Sequence, residues 1–184
     1  MIVTFDRNGP CRRRIEFAYA ALRYFNVAGA DPKGRSGQSS PVATHLIKVA
    51  SQAALGQRPH LDLYGTDYDT PDGSCVRDYI QVNDLATAHL AALNHLRAGG
   101  ASTVMNCGYG HGASVIEVVD VVKRVSGVDF PVRLSPRRPG DPAALVARVD
   151  RIRALGWTPK FDDLEVIVDQ ALRWERTLAA RNAA

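Results

Sequence analysis

Two hydrophobic periods take turns along this chain. Ala20 to Val27 is a dense run of Leu, Tyr, Phe and Val that ends at Ala28-Gly29 and then Asp31-Pro32, which reads as a strand leaving a core and turning. Gly34 to Pro41 is polar and rich in Gly and Ser, a loop. From Thr44 to Leu55 the apolar positions Leu46, Ile47, Ala50, Ala54 and Leu55 follow helical spacing and stop at Gly56. Leu61-Asp62-Leu63-Tyr64 alternates as a short strand, Asp67 to Ser74 is turn chemistry around Pro71-Asp72-Gly73, and Val76 to Val82 returns to a strand pattern.

Asn83 or Asp84 offers the N-cap of a helix whose face is Leu85, His89, Leu93 and Leu96, ended by Gly99-Gly100. Thr103 to Cys107 reads as a buried strand. Ser114 and Glu117 form a capping box ahead of Val118, Val119, Val122 and Val125. Val132 to Leu134 is a further strand, and Pro136 to Pro142 a loop. Asp162 as cap and Glu165 as its partner open a last helix with the apolar stripe Leu164, Ile167, Val168, Ala171, Leu172 and Leu178. Strands alternate with helices, so the expected class is α/β.

Length bounds what such a chain can hold. A dinucleotide sheet built of two βαβαβ halves and a complete substrate domain do not fit comfortably in 184 residues. Charge excludes little: Lys plus Arg is 23 against 19 Asp plus Glu, a formal +4. Basic residues concentrate only at Arg12–Arg14 and Arg137–Arg138, a thin basis for a nucleic-acid module, so no nucleic-acid partner is expected. Cys11, Cys75 and Cys107 show no Cys-x-x-Cys spacing, and the histidines no His-Glu-x-x-His, so neither a disulfide framework nor a metal site is expected. Charge among the first residues breaks any signal-peptide core, and no run has the length of a membrane span. A cytoplasmic protein without a membrane partner is the expectation.

Gly108-Tyr-Gly110-His-Gly112 stands after a strand and before a helix, where bare amides and a helix N-terminus could face a pyrophosphate. The third fingerprint position is Ala113, and the acidic residue some way on, Asp129, precedes a strand instead of ending one. A structural glycine loop before a capped helix is the better reading.

Several blocks in order carry a more specific signal. They are Leu22-Arg23-Tyr24-Phe25-Asn26-Val27-Ala28-Gly29-Ala30, Thr44-His45-Leu46-Ile47, Leu63-Tyr64-Gly65-Thr66-Asp67-Tyr68, Thr70-Pro71-Asp72-Gly73, Val76-Arg77-Asp78-Tyr79-Ile80 and Asp84-Leu85-Ala86. Asn106-Cys107-Gly108 with Gly110 and Ser114-Val115, then Arg137-Arg138-Pro139-Gly140-Asp141 and Leu155-Gly156-Trp157, complete the order. Together they resemble the C-terminal half of the UDP-glucose 4-epimerase family, extended short-chain dehydrogenase/reductases of the NAD-dependent epimerase/dehydratase group. The resemblance runs from about Ala21 to Thr177 and leaves residues 1–20 unmatched. It implies a C-terminal UDP-sugar-binding domain with a few strands and helices of an incomplete Rossmann domain over residues 21–184.

The resemblance also implies chemistry. In the family, NAD takes hydride from C4 of a UDP-sugar, the 4-keto sugar turns over, and the hydride returns to its other face, interconverting UDP-glucose and UDP-galactose. The sugar must be held loosely while the UDP is gripped. Arg77 and Arg138 match the diphosphate clamp, where a planar guanidinium suits phosphate oxygens. Asn26 matches a hydrogen bond to substrate, and Phe25 the residue beside the nicotinamide. Asp62, Leu63 and Tyr64 fall where backbone and ring meet the uracil. His45 and Leu46 match the corner against the substrate, Asp141 follows the second arginine, and Leu145 stands near the sugar.

Other family features are absent from the chain. No tyrosine stands four residues before a lysine, the pair in which lysine lowers the tyrosine pKa for proton transfer; Tyr19 with Arg23 is the nearest spacing. The Gly-x-x-Gly-x-x-Gly turn is missing as well. A truncated epimerase half, inactive alone, is therefore expected, as a homodimer or with a missing N-terminal half as partner. A non-catalytic remnant that binds UDP-sugars or completes another chain, and a related UDP-sugar dehydratase or decarboxylase, are the alternatives. Unsupported sheet fragments should expose apolar faces and strand edges.

Overall fold

A computed structural model describes residues 1–6, 17–40 and 42–183. Cys11 and Arg12–Arg14 lie outside the described residues. Alternation starts earlier than expected: β2 spans Phe17–Arg23, with Ala18, Ala20 and Leu22 turned inward. Its neighbours are β1, Ile2–Asp6, running antiparallel, and β7, Thr103–Asn106, running parallel. The expected strand at 20–27 is divided at Tyr24-Phe25, because β3, Asn26–Ala28, leaves this sheet to pair in parallel with β6, Tyr79–Gln81.

Helix α2, Val82–Arg97, covers the inner face of β1 and β2. Ala88 and Ala92 are completely buried and let the helix lie close to the sheet. Its N-cap is Gln81, not Asn83 or Asp84: the Gln81 side-chain oxygen Oε1 accepts from the Asn83 and Asp84 N–H groups. Asp84 is buried and spent elsewhere.

The expected strand at 76–82 is likewise broken, at Asp78, into β5, Val76–Arg77, and β6. β5 lies between β10, Ala144–Leu145, in parallel and β8, Ala113–Ser114, in antiparallel register. β4, Leu61–Tyr64, pairs in parallel with β9, Val132–Ser135.

Three helices pack on one another beside these small sheets: α1, Leu46–Ala54, α3, Val115–Ser126, and α5, Leu164–Ala183. The expected capping box closes α3, with the Ser114 hydroxyl accepting from Glu117 N–H at 3.0 Å and the Glu117 carboxylate accepting from Ser114 N–H at 3.3 Å. At α5 the cap is Asp163, which accepts from Glu165 and Val166 N–H, whereas Asp162 pairs with His111 at 2.7 Å. The short α4, Asp150–Arg153, seats Ile152 in the core. One core joins all layers through Leu22, Ile80, Leu96, Met105, Val118, Ile167 and Leu172. Each such side chain stabilises by about 1.5–3 kcal/mol.

Among the described residues, none covers the outer face of β2. Phe17 is 64% exposed and Tyr19 43%, with Ile2 of β1 also 64% exposed. Among the described residues no helix is long and apolar enough to cross a membrane.

Candidate functional site

Parallel strands deliver their ends to one place. Asn26 opens β3, Tyr64 closes β4 and Arg77 closes β5, while His45 and Leu46 open α1 and the loop 136–142 follows β9. Between them lies a cavity of about 440 Å³, within the range of small-molecule sites. Asn26, His45, Leu46, Asp62, Tyr64, Arg77, Arg138 and Asp141 line it. Leu63, on the other face of β4, is buried in the core, and Leu145 and Phe25 stand outside the cavity wall. Two shallower grooves of 530 and 600 Å³ hold no arginine, and a cleft beside Lys48 and Glu175 has only about 30 Å³.

Positive charge exceeds negative in the cavity. Arg58, Arg77 and Arg138 face it against Asp62 and Asp141. The Asp62 carboxylate is already engaged: Arg133 donates to it at 2.6 Å and holds it below the usual carboxylate range. Arg77 is mostly buried, donates to the Val76 carbonyl at 2.8 Å and lies 3.7 Å from the Asp141 carboxylate. Arg138 lies over the Tyr64 ring, 3.8 Å from its centre. Its neighbour Arg137 is fixed otherwise, stacked on Tyr68 at 4.2 Å and donating to the Asp67 carboxylate at 2.6 Å.

Arg77 is held in place by the residue after it. Asp78 is 1% exposed and accepts from the N–H groups of Tyr109 at 3.0 Å, Gly110 at 3.1 Å and Ala147 at 3.2 Å. A charged acceptor for buried amides is a strong pin. Gly108 is required there, since a Cβ would run into the Asp78 carboxylate and the Ala147 methyl. A second buried carboxylate works the same way. Asp84 accepts from Lys160 N–H at 2.9 Å, Phe161 N–H at 2.8 Å and the Tyr109 hydroxyl at 2.8 Å. Burial pushes the phenols of Tyr79 and Tyr109 well above the usual tyrosine range.

The glycine turn at 108–112 does not fit a dinucleotide. Its Tyr109 and Gly110 amides are bonded to Asp78, and the first turn of α3 is closed by its capping box. Thr44, Val49, Arg58, His60, Cys75, Tyr79 and Val115 also line the cavity and escaped sequence reasoning. Tyr79, Thr44 and Val115 had a signal, as parts of the blocks Arg77-Asp78-Tyr79-Ile80, Thr44-His45-Leu46-Ile47 and Ser114-Val115. Arg58 and His60 had none beyond standing just before β4.

Short parallel strand pairs packed with helices, with a cationic cavity at the strand ends, define an α/β ligand-binding protein. The NAD dependent epimerase/dehydratase family model matches residues 10–108, and the chain belongs to that family. It is 66% identical over 158 residues to a UDP-glucose 4-epimerase of Azospirillum brasilense, covering 85% of this chain and 45% of that protein. Among solved structures, it resembles the UDP-Glc/GlcNAc 4-epimerase of Campylobacter jejuni at 53% identity and a TM-score of 0.72, covering 86% of this chain and 48% of that one. It also resembles a UDP-glucose 4-epimerase of Bifidobacterium longum in complex with NAD+ and UDP, at 37% identity and a TM-score of 0.80, covering 86% and 47%. The chain spans about half the length of the curated relatives it matches.

Proposed function

We propose that this chain is the UDP-sugar-gripping half of a UDP-glucose 4-epimerase. The observation that carries the reading is Arg77 and Arg138 facing one cavity floored by Tyr64. Two guanidinium groups suit a diphosphate, and an aromatic face suits a nucleobase. In this reading the backbone of Asp62 and Leu63 and the ring of Tyr64 receive uracil. Asn26, His45 and Leu46 border the hexose, Asp141 holds Arg77 ready, and Leu145 lies toward the sugar's far side. Phe25 faces the nicotinamide of a cofactor held elsewhere.

UDP-glucose and UDP-galactose are the proposed ligands. The hydride step is not assigned to this chain alone. The chain has no tyrosine four residues before a lysine, and its own glycine turn is closed around Asp78. NAD supplies hydride chemistry in the family; here the residues present serve to bind and orient the nucleotide sugar. The exposed Phe17 and Tyr19 on β2 support a partner, either an N-terminal epimerase half or a second copy. A cytoplasmic address belongs to the same proposal, supported by the free thiols of Cys75 and Cys107.

Equilibrium dialysis with UDP-glucose tests the grip. Arg77→Met should weaken binding by about tenfold or more, the loss of a charge-assisted pair, with the fold unchanged by circular dichroism. Equal binding by both proteins would refute the clamp.

A further inference from the structure

The Thr70-Pro71-Asp72-Gly73 block lines no part of the cavity, yet its hydrogen bonds lead there. Gly73 takes a φ of +79°, and a Cβ on it would run into the Thr66 carbonyl, so the turn after Asp72 needs glycine. The Asp72 carboxylate accepts from the Ser74 N–H at 2.9 Å and the Ser74 hydroxyl at 2.8 Å, and its other oxygen accepts from the Ser114 hydroxyl. Both serines are buried. A carboxylate only accepts, so both hydroxyl protons point at Asp72 and both hydroxyl oxygens are left to face α3. There the Ser74 oxygen accepts from Ile116 N–H at 3.2 Å and the Ser114 oxygen from Glu117 N–H at 3.0 Å. The Cys75 carbonyl accepts from Val115 N–H at 3.0 Å. The first three amides of α3, which a helix cannot pair internally, are thus spent on Ser74, Cys75 and Ser114.

We infer that Asp72 is a positioning residue for ligand binding: through Ser74 and Ser114 it fixes β5 against the start of α3, and with it the seat of Arg77. This rests on the reading of the cavity as a UDP-sugar grip. Ser114 faces Val76 across the β5–β8 pair, and the Val76 carbonyl is the acceptor on which the Arg77 guanidinium rests at 2.8 Å. Cys75 and Val115, joined by their own backbone bond, are part of the cavity wall. Asp78 anchors the strand from its far side through Tyr109, Gly110 and Ala147, so two carboxylates hold β5 from both ends. Asp72 itself stands at the surface, and its replacement leaves no void in the core.

A double-variant cycle on the full chain, read by calorimetric titration with UDP-glucose, tests the inference. Asp72→Ala should weaken binding about fivefold or more. In an Arg77→Met background the same change should have little further effect, because the group that Asp72 positions is gone. Glu117→Ala opens the capping box without removing Asp72; it should lower the urea midpoint and leave the affinity level. Asp72→Asn keeps an oxygen for Ser74 but turns an amide donor toward Ser114, and it carries the same cycle should Asp72→Ala fail to fold. Losses that add in the double variant, an unchanged affinity in the Asp72 variant, or an equal loss in Glu117→Ala would each overturn the inference while leaving the grip intact. Failure of the unsubstituted chain to bind UDP-glucose removes the grip itself, and the inference with it.

Discussion

Asp78 shows how one side chain sets a site it does not enter. Its carboxylate gathers three amides from two distant loops and so fixes the backbone from which Arg77 reaches the cavity. Asp78→Ala leaves those buried amides unpaired and should cost about 3 kcal/mol or more, seen as a lower urea midpoint, with UDP-glucose affinity falling in the folded fraction. Titration at high pH has a definite sign. The phenols of Tyr79 and Tyr109 are raised above their ordinary value by burial, and the Cys107 thiol is pushed up to about 11 by burial. The folded chain therefore holds these protons longer than the unfolded one. Their contribution is complete below about pH 8.5 and fades above it, first for the thiol and then, above about pH 10, for the phenols. Urea midpoints should drop between about pH 9 and 11, and Tyr79→Phe should flatten that fall; a midpoint level across the range would contradict it.

At the scale of elements, what was legible in the sequence was what is local. The α3 capping box and the alternation of β4 depend on neighbours a few residues apart, and both appear where the pattern puts them. The cap of α2 was misplaced because Asp84, a favourable N-cap by type, is consumed by Lys160, Phe161 and Tyr109 from far along the chain. The break at Asp78 was hidden for the same reason: a charged residue inside an apolar run reads as an exposed strand position until its distant amides are known. Most of the cavity was legible through motif blocks. Arg58 and His60 were not, since they belong to no block and reach the site only through the turn between α1 and β4.

Helices α1 and α5 make a further test possible. Lys48 and Glu175 are each about 5% exposed and paired across these helices, and Lys48 also donates to the Gln38 carbonyl at 3.1 Å. Lys48→Met strands a buried carboxylate and should cost about 3–5 kcal/mol. Replacing both with Met should cost clearly less, as read from denaturation midpoints. An additive double variant would show that the two charges do not support each other.

The whole molecule carries its unfinished business on one sheet. With Phe17 and Tyr19 exposed in a row on β2, a monomer should be only marginally stable, melting near or below about 45 °C, the low end for ordinary domains. Phe17→Lys with Tyr19→Lys should reduce concentration-dependent association in sedimentation velocity; a monomer with a cooperative, high-temperature melt would count against an incomplete sheet. The cavity's lining comes from residues 26–141 of a chain that spans about half the length of its curated relatives. Parallel calorimetric titrations of the purified chain with UDP-glucose and with NAD+ test this division most directly. Saturable one-site heat with UDP-glucose and none with NAD+ is the predicted outcome; stoichiometric NAD+ binding, or no heat with UDP-glucose, would contradict it.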